Sequence, residues 1–356
     1  MFNLSNAECI ELIAAIGTAT TVLVEGHTGS GKSDMLHELA RRFPGHIPVY
    51  FDGTTKDLGD IAIPNVADLA GNAAYVRMVP NEELGLHHGK PIILMLDELA
   101  KMNPSVRNAI ARVMYERKMG PYTLHPESIV FATTNLAAEN LGDSMQAHHW
   151  NRITKVTLRK PSHLEWLEWG INNGIESSLL GWVRDNPQLF QSFEEVNDPE
   201  QNPAIFHPRD PSRKQFVTGR SLHKASNIIK LSHGKVSDNV LTAALIGTIG
   251  ARPAMDLMAY VNLINDLPTM DSIKKDPSHA KVPNSASAVC MVVYRTLSTL
   301  EPDWLDNWMV YLNRLDKEAQ ALFANGVRTP GYRRMGECML NRNFTQWVGR
   351  NAYLFG

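Results

Sequence analysis

The sequence predicts an α/β fold: a parallel sheet layered between helices, carrying a phosphate-binding loop and an inserted hairpin, with helical regions after it. Three observations carry that expectation. First, Gly26-His27-Thr28-Gly29-Ser30-Gly31-Lys32-Ser33 follows the β-branched run Thr21-Val22-Leu23-Val24-Glu25 and opens an amphipathic segment over 32–43. Second, Ile92-Ile93-Leu94-Met95-Leu96 and Ile129-Val130-Phe131-Ala132 are apolar throughout, which implies strands covered on both faces. Third, beyond Arg159-Lys160-Pro161 the strand signal fades and helical spacing takes over.

The composition bounds the reading. Of 356 residues, 44% are hydrophobic and 20% charged, the make-up of an ordinary globular chain with room for two or three domains. Lys plus Arg number 35 against 37 Asp plus Glu, so no whole-molecule basic field draws the chain to nucleic acid. Cys9, Cys290 and Cys338 lie far apart without paired-ligand spacing and read as thiols in a reducing compartment. No basic start leads into an apolar core, and no apolar run approaches a membrane span, which points to the cytoplasm and no membrane partner.

Taken in order, residues 3–16 read as a helix ended by Gly17, and the segment after the phosphate loop as a helix stopped by Pro44-Gly45. A strand follows over 47–52. Between 60 and 80, Ile61 to Val66 and Ala74 to Val79 are short extended runs around a turn, an inserted hairpin rather than part of the core sheet. Residues 81–88 suit a short helix before Gly89, and 104–117 a helix with Val106, Ile110, Val113 and Met114 inward. Gly120-Pro121 marks a second hairpin or irregular loop, and 154–158 a late short strand. The domains expected are 1–160 for the sheet, 161–265 as a helical unit with an exposed loop at 197–213, and 266–356 as a helical extension. Residues 266–287 read as a connector, and Trp304, Trp308, Leu312 and Leu315 as core.

The chemistry concentrates at the strand ends. Glycines let the backbone of 26–33 turn its N–H groups on phosphate oxygens at a helix N-terminus. Lys32 would reach the β/γ-phosphates, and Ser33 with Asp97 would hold Mg²⁺. Glu98 would polarise a water, which favours hydrolysis over transfer. Asn135 ends a buried strand in a polar amide that can cap a following helix. The pairs His87-His88 and His148-His149 lack companion carboxylate or thiolate spacing and read as solvent-facing or locally bonded.

As an ordered set, Gly-x4-Gly-Lys-Ser, the apolar strand with Asp97-Glu98, the strand ending Thr134-Asn135, and Arg152 before a short strand resemble the AAA+ ATPases, closest to the MoxR and CbbQ type. Asp57-Leu58-Gly59 and His125-Pro126 resemble that group's approaches to its helix-2 insertion and its sensor-1 strand. The resemblance spans about 20–231 and implies ATP and Mg²⁺ as cofactors. It implies Asn135 as sensor 1, Arg152 as an arginine finger given to a neighbouring subunit, and Arg220 as sensor 2. Where the family often has Asp-Arg-Phe this chain has Asn151-Arg152-Ile153, so Arg112 and Arg159 stay open as the finger. A hexameric ring and a protein client, commonly one with a von Willebrand factor A domain, are implied likewise. Tyr75, Arg77 and Tyr122 on the insertions are candidate client contacts. A nucleic-acid motor or loader is the competing reading, thinly supported by Arg77 and Lys118. A small-molecule kinase needs neither Asn135 nor a finger, and a GTPase would need a base-reading motif that Ala100-Lys101-Met102-Asn103 is not.

Overall fold

The computed structural model describes residues 3–65, 77–136, 151–210, 212–232, 234–263 and 267–355, and these form two compact units, 1–161 and 162–356. In the first unit the elements are β1 (Asn3–Leu4), α1 (Asn6–Ile16), β2 (Thr21–Gly26), α2 (Asp34–Arg42), β3 (Ile47–Asp52), β4 (Ala62–Pro64), β5 (Met78–Pro80) and β6 (Ile92–Asp97). There follow α3 (Pro104–Glu116), β7 (Lys118–Met119), β8 (Tyr122–Thr123), β9 (Ile129–Asn135) and β10 (Ile153–Leu158).

Six strands pair in the order β1-β10-β2-β9-β6-β3, every neighbour parallel. Side-chain alternation sorts each central strand between two layers. Val22, Val24, Ile93, Met95, Ile129 and Phe131 pack with Cys9, Ile13, Met35 and Leu39 of α1 and α2. Leu23, Leu94, Leu96, Val130 and Ala132 pack with Val106, Ile110, Val113 and Met114 of α3. The continuous apolar runs are thus strands filling both layers, at roughly 1.5–3 kcal/mol of burial for each large side chain. The expected three-layer α/β fold with a helical C-terminal region is what forms.

Both hairpins form. β4 pairs antiparallel with β5, Ile63 opposite Val79, and β7 with β8 around Gly120 at φ 56°. Tyr75 and the histidine pair at 148–149 lie outside the described residues. Three local expectations change. Residues 3–4 are a strand rather than helix, because Ser5 caps α1 and Glu8 reaches back to the Ser5 N–H. Residues 82–84 make only a 3₁₀ turn, closed by Gly85 at φ 71°. Met270–Lys275, within the expected connector, is a short helix capped by Thr269 and anchored through buried Ile273.

The second unit is helical, running α4 (His163–Asn172), α5 (Ser177–Asp185), α6 (Gly219–Ser232), α7 (Asp238–Ile249), α8 (Ala251–Leu263), α9 (Met270–Lys275), α10 (Ala286–Thr299), α11 (Leu305–Leu312), α12 (Lys317–Arg328), α13 (Met335–Leu340) and α14 (Arg342–Arg350). One core joins Trp182, Tyr294, Trp308, Tyr311, Phe323 and Phe344 across it. The 197–213 segment, expected to be exposed, is pinned instead. The Asn202 amide donates to Gln188 O at 2.7 Å, buried His207 bonds Val196 O at 3.1 Å, and Arg213 donates to Ile205 O at 2.9 Å. Polar residues in that stretch bind their own backbone, which the composition alone does not reveal. The three cysteines are buried free thiols, each pushed by burial up to about 11. Among the described residues no helix is long and apolar enough to cross a membrane.

Candidate functional site

In an all-parallel sheet every strand ends on the same edge, where open α/β sheets bind ligands. Register fixes what meets there: Gly26 is opposite Asn135 and Leu158, and Asp52 opposite Asp97. The next step after the Leu96–Ala132 pair brings Asp97 beside Thr133.

The loop leaving β2 curls around the Lys32 ammonium. Gly29 and Gly31 take φ of 72° and 92°, conformations costly for any residue with a side chain. Gly26 is closely packed: a Cβ there would lie 3.0 Å from Leu158 Cβ, so that side chain would have to give way. Ser33 precedes α2, and the Asp34 N–H closes back on Gly31 O at 3.0 Å. His27, Thr28 and Ser33 are half-buried, while Ser30 is buried with its Oγ unpartnered.

Lys32 itself is buried. Its Nζ donates to Gly26 O at 2.8 Å, His27 O at 2.9 Å and Asn135 Oδ1 at 2.8 Å. The other half of the Asn135 amide donates to Glu98 Oε1 at 2.9 Å. One side chain therefore links the cation of the loop to the carboxylate at the end of β6.

The two carboxylates are held differently. Asp97 accepts from the Thr133 hydroxyl, from Tyr50 OH at 2.8 Å and from the Glu98 N–H at 3.1 Å. Glu98 sits in the left-handed region at φ 53°, ψ 40°, a strain of ~1–2 kcal/mol for a non-glycine residue. Lys101 lies 3.1 Å from Glu98 Oε1, whereas Oε2 is buried without a partner. Glu98 thus combines a strained backbone with a buried acceptor oxygen left open. No group of three or more His, Cys, Asp or Glu gathers among the described residues. The donor set of Asp97 and Ser33 fits Mg²⁺, which binds through one or two protein groups together with substrate phosphates and water.

The structure brings Lys32, Asp97, Glu98 and Asn135 together and leaves Arg152 elsewhere. Arg152 precedes β10, whose Ile153 pairs with Thr21 at the start of β2, so it stands at the opposite edge, about 17 Å of strand away. There it is exposed, its guanidinium 5.3 Å from the centre of the Tyr115 ring. Arg220 is exposed in the first turn of α6, in the second unit. Of the alternatives, Arg112 pairs with Glu116 at 2.8 Å on the surface of α3, and Arg159 follows Leu158 at the same edge as the loop.

Sequence reading missed Tyr50, Thr133 and Lys101. Tyr50 and Thr133 reach Asp97 only through strand register, since Tyr50 opposes Met95 and Asp97 is its diagonal neighbour. Lys101 had a signal in its spacing, three residues beyond Glu98.

No protein-family model matches the chain, and no curated protein matches it. Among solved structures it is similar to NtrX of Brucella abortus in complex with ADP, at 13% identity, covering 100% of this chain and 70% of that one with a TM-score of 0.41. It is similar also to a mutant RuvB of Thermotoga maritima, at 16% identity, covering 85% of each chain with a TM-score of 0.37.

Proposed function

We propose that the protein is an ATPase of the AAA+ type, which hydrolyses ATP with Mg²⁺. The observation that carries this reading is the Lys32–Asn135–Glu98 chain of hydrogen bonds at the carboxyl edge of the sheet. It connects a phosphate-binding cation to a carboxylate with one open oxygen, the arrangement that attack of water on a terminal phosphate requires.

In this mechanism the loop N–H groups and Lys32 bind the phosphates, and Asn135 orients Glu98. Glu98 Oε2 accepts the proton of the attacking water as the new P–O bond forms and the bond to the ADP oxygen breaks. Asp97 and Ser33 would hold Mg²⁺, which when bound offsets the charge on the phosphate oxygens. Thr133 and Tyr50 fix the Asp97 carboxylate for that role.

Arg152 stands too far along β10 to serve its own chain's Lys32, which supports a finger given to a neighbouring subunit. Hydrolysis then depends on assembly into a ring, with Arg220 sensing nucleotide from the helical unit. The further reading is MoxR-like: a hexameric ring that remodels a protein client, of which a von Willebrand factor A domain is one type. Exposed Ile63, Met78 and Val79 on the β4–β5 hairpin suit contact with such a client.

Steady-state ATPase measurements on the wild type, Lys32→Ala and Glu98→Gln test the reading. Mg²⁺-dependent turnover is expected for the wild type, lost with nucleotide affinity in Lys32→Ala and without it in Glu98→Gln. A wild type that neither binds nor hydrolyses ATP would sink it. Capture of a client by the Glu98→Gln protein in ATP, lost on removing ATP, tests the remodelling role.

A further inference from the structure

We propose that Lys101 is a positioning residue for Glu98: its ammonium pins Oε1 so that Oε2 is the oxygen presented to the attacking water. The proposal rests on the hydrolytic reading above and assigns a role to a side chain outside the phosphate loop and strand ends.

The local backbone makes this contact. Glu98 leaves β6 in the left-handed region and the chain enters a 3₁₀ turn, Leu99–Lys101, closed by Lys101 N–H on Glu98 O at 2.8 Å. Side chains three apart in such a turn eclipse one another, so Lys101 overlies Glu98. The turn is itself anchored, because Leu99 and Met102 are buried in the α3-side core and the Arg107 guanidinium donates to Ala100 O at 3.3 Å.

Two contacts then converge on one oxygen. Asn135 Nδ2 donates to Glu98 Oε1 at 2.9 Å and Lys101 Nζ forms an ion pair with it at 3.1 Å, while Oε2 is buried and unpartnered. A carboxylate with four acceptor sites and both contacts on one oxygen is held in rotation, with the other oxygen free to take a proton. Asn135 alone fixes one point of the carboxylate, and the Lys101 ammonium adds the second.

The test compares wild type, Lys101→Met, Lys101→Arg and Glu98→Gln as full-length proteins. Nucleotide affinity is measured with a fluorescent ATP analogue, ATPase kcat and KM by steady-state turnover, and unfolding by circular dichroism. In Lys101→Met, kcat is expected to fall about tenfold or more, with affinity and KM within about twofold, since positioning of a general base acts on turnover. Lys101→Arg should restore most of kcat. An unchanged kcat in a folded Lys101→Met protein would overturn the proposal, as would loss of kcat and affinity together with no rescue by arginine. If Lys101→Met does not fold, Lys101→Arg decides on its own: folded but without activity, it overturns the assignment. A wild type lacking Glu98-dependent turnover overturns the hydrolytic reading, and this one with it.

Discussion

The two edges of the sheet use the same kinds of polar side chain to opposite ends. At the amino edge, Arg117 takes a left-handed conformation after α3 and donates to Thr21 Oγ1 at 2.8 Å, Gly17 O at 2.9 Å and Met114 O. Thr21 Oγ1 in turn donates to Met114 O at 2.6 Å. Burial pushes the Arg117 guanidinium down to about 10, which still leaves it a cation at neutral pH. At the carboxyl edge, Lys32, Asn135 and Glu98 form a chain of similar size that ends on an open oxygen. The first arrangement ties three segments of chain together, with Arg117 Nε buried and unpartnered, and the second ends on an unpartnered acceptor. What separates the two is the chemistry of the open atom, a donor in the first and a possible proton acceptor in the second.

Substitutions at the two edges should separate these roles. The largest effect is expected for Arg152→Ala, at the amino edge: ATPase activity falls by on the order of 10³ or more, the scale of a finger residue. Mixing it with Lys32→Ala subunits should recover turnover, because each supplies what the other lacks. Failure of mixing to recover any would remove Arg152 from the trans role. Glu98→Gln should reduce kcat by about 10²–10⁴ while ATP still binds. Lys32→Ala should weaken nucleotide binding by roughly 10–100-fold, the worth of charge-assisted bonds, as read by calorimetric titration. Arg117→Ala should lower unfolding stability by about 2–3 kcal/mol in urea, leaving the affinity per folded protein unchanged. If it abolished binding without destabilising the fold, the two edges would not be separable as described. Tyr50→Phe, which removes one hydrogen bond on Asp97, is expected to cost only a few-fold in kcat, restored in part by raised Mg²⁺.

Much of this was legible in the chain because it was local. A glycine-rich turn between strand and helix, apolar runs ending in Asp97-Glu98 and in Asn135, and the Gly219 start of α6 each declare themselves within a dozen residues. The Lys32–Asn135 bond joins residues 103 apart, and the Asp97–Thr133 and Asp97–Tyr50 bonds depend on which strands lie side by side. Periodicity gives a strand its faces but not its neighbours, so those partners were out of reach. Loop 197–213 failed for a related reason: its Asn, His and Arg look like solvent-facing composition until their carbonyl acceptors are known.

The place of β10 has a consequence for how the chain comes to be made. It lies between β1 and β2, two strands made well before it, and pairs with both. Thr21 waits for Ile153, and Asn3 for Thr157. The N-terminal strands cannot finish their sheet by pairing with each other, since the gap between them is reserved. Such long-range pairing is slow and leaves strand edges open while synthesis proceeds. A nascent chain halted before Ile153 would hold β1 unattached, so this half of the molecule is where early chaperone contact is most needed.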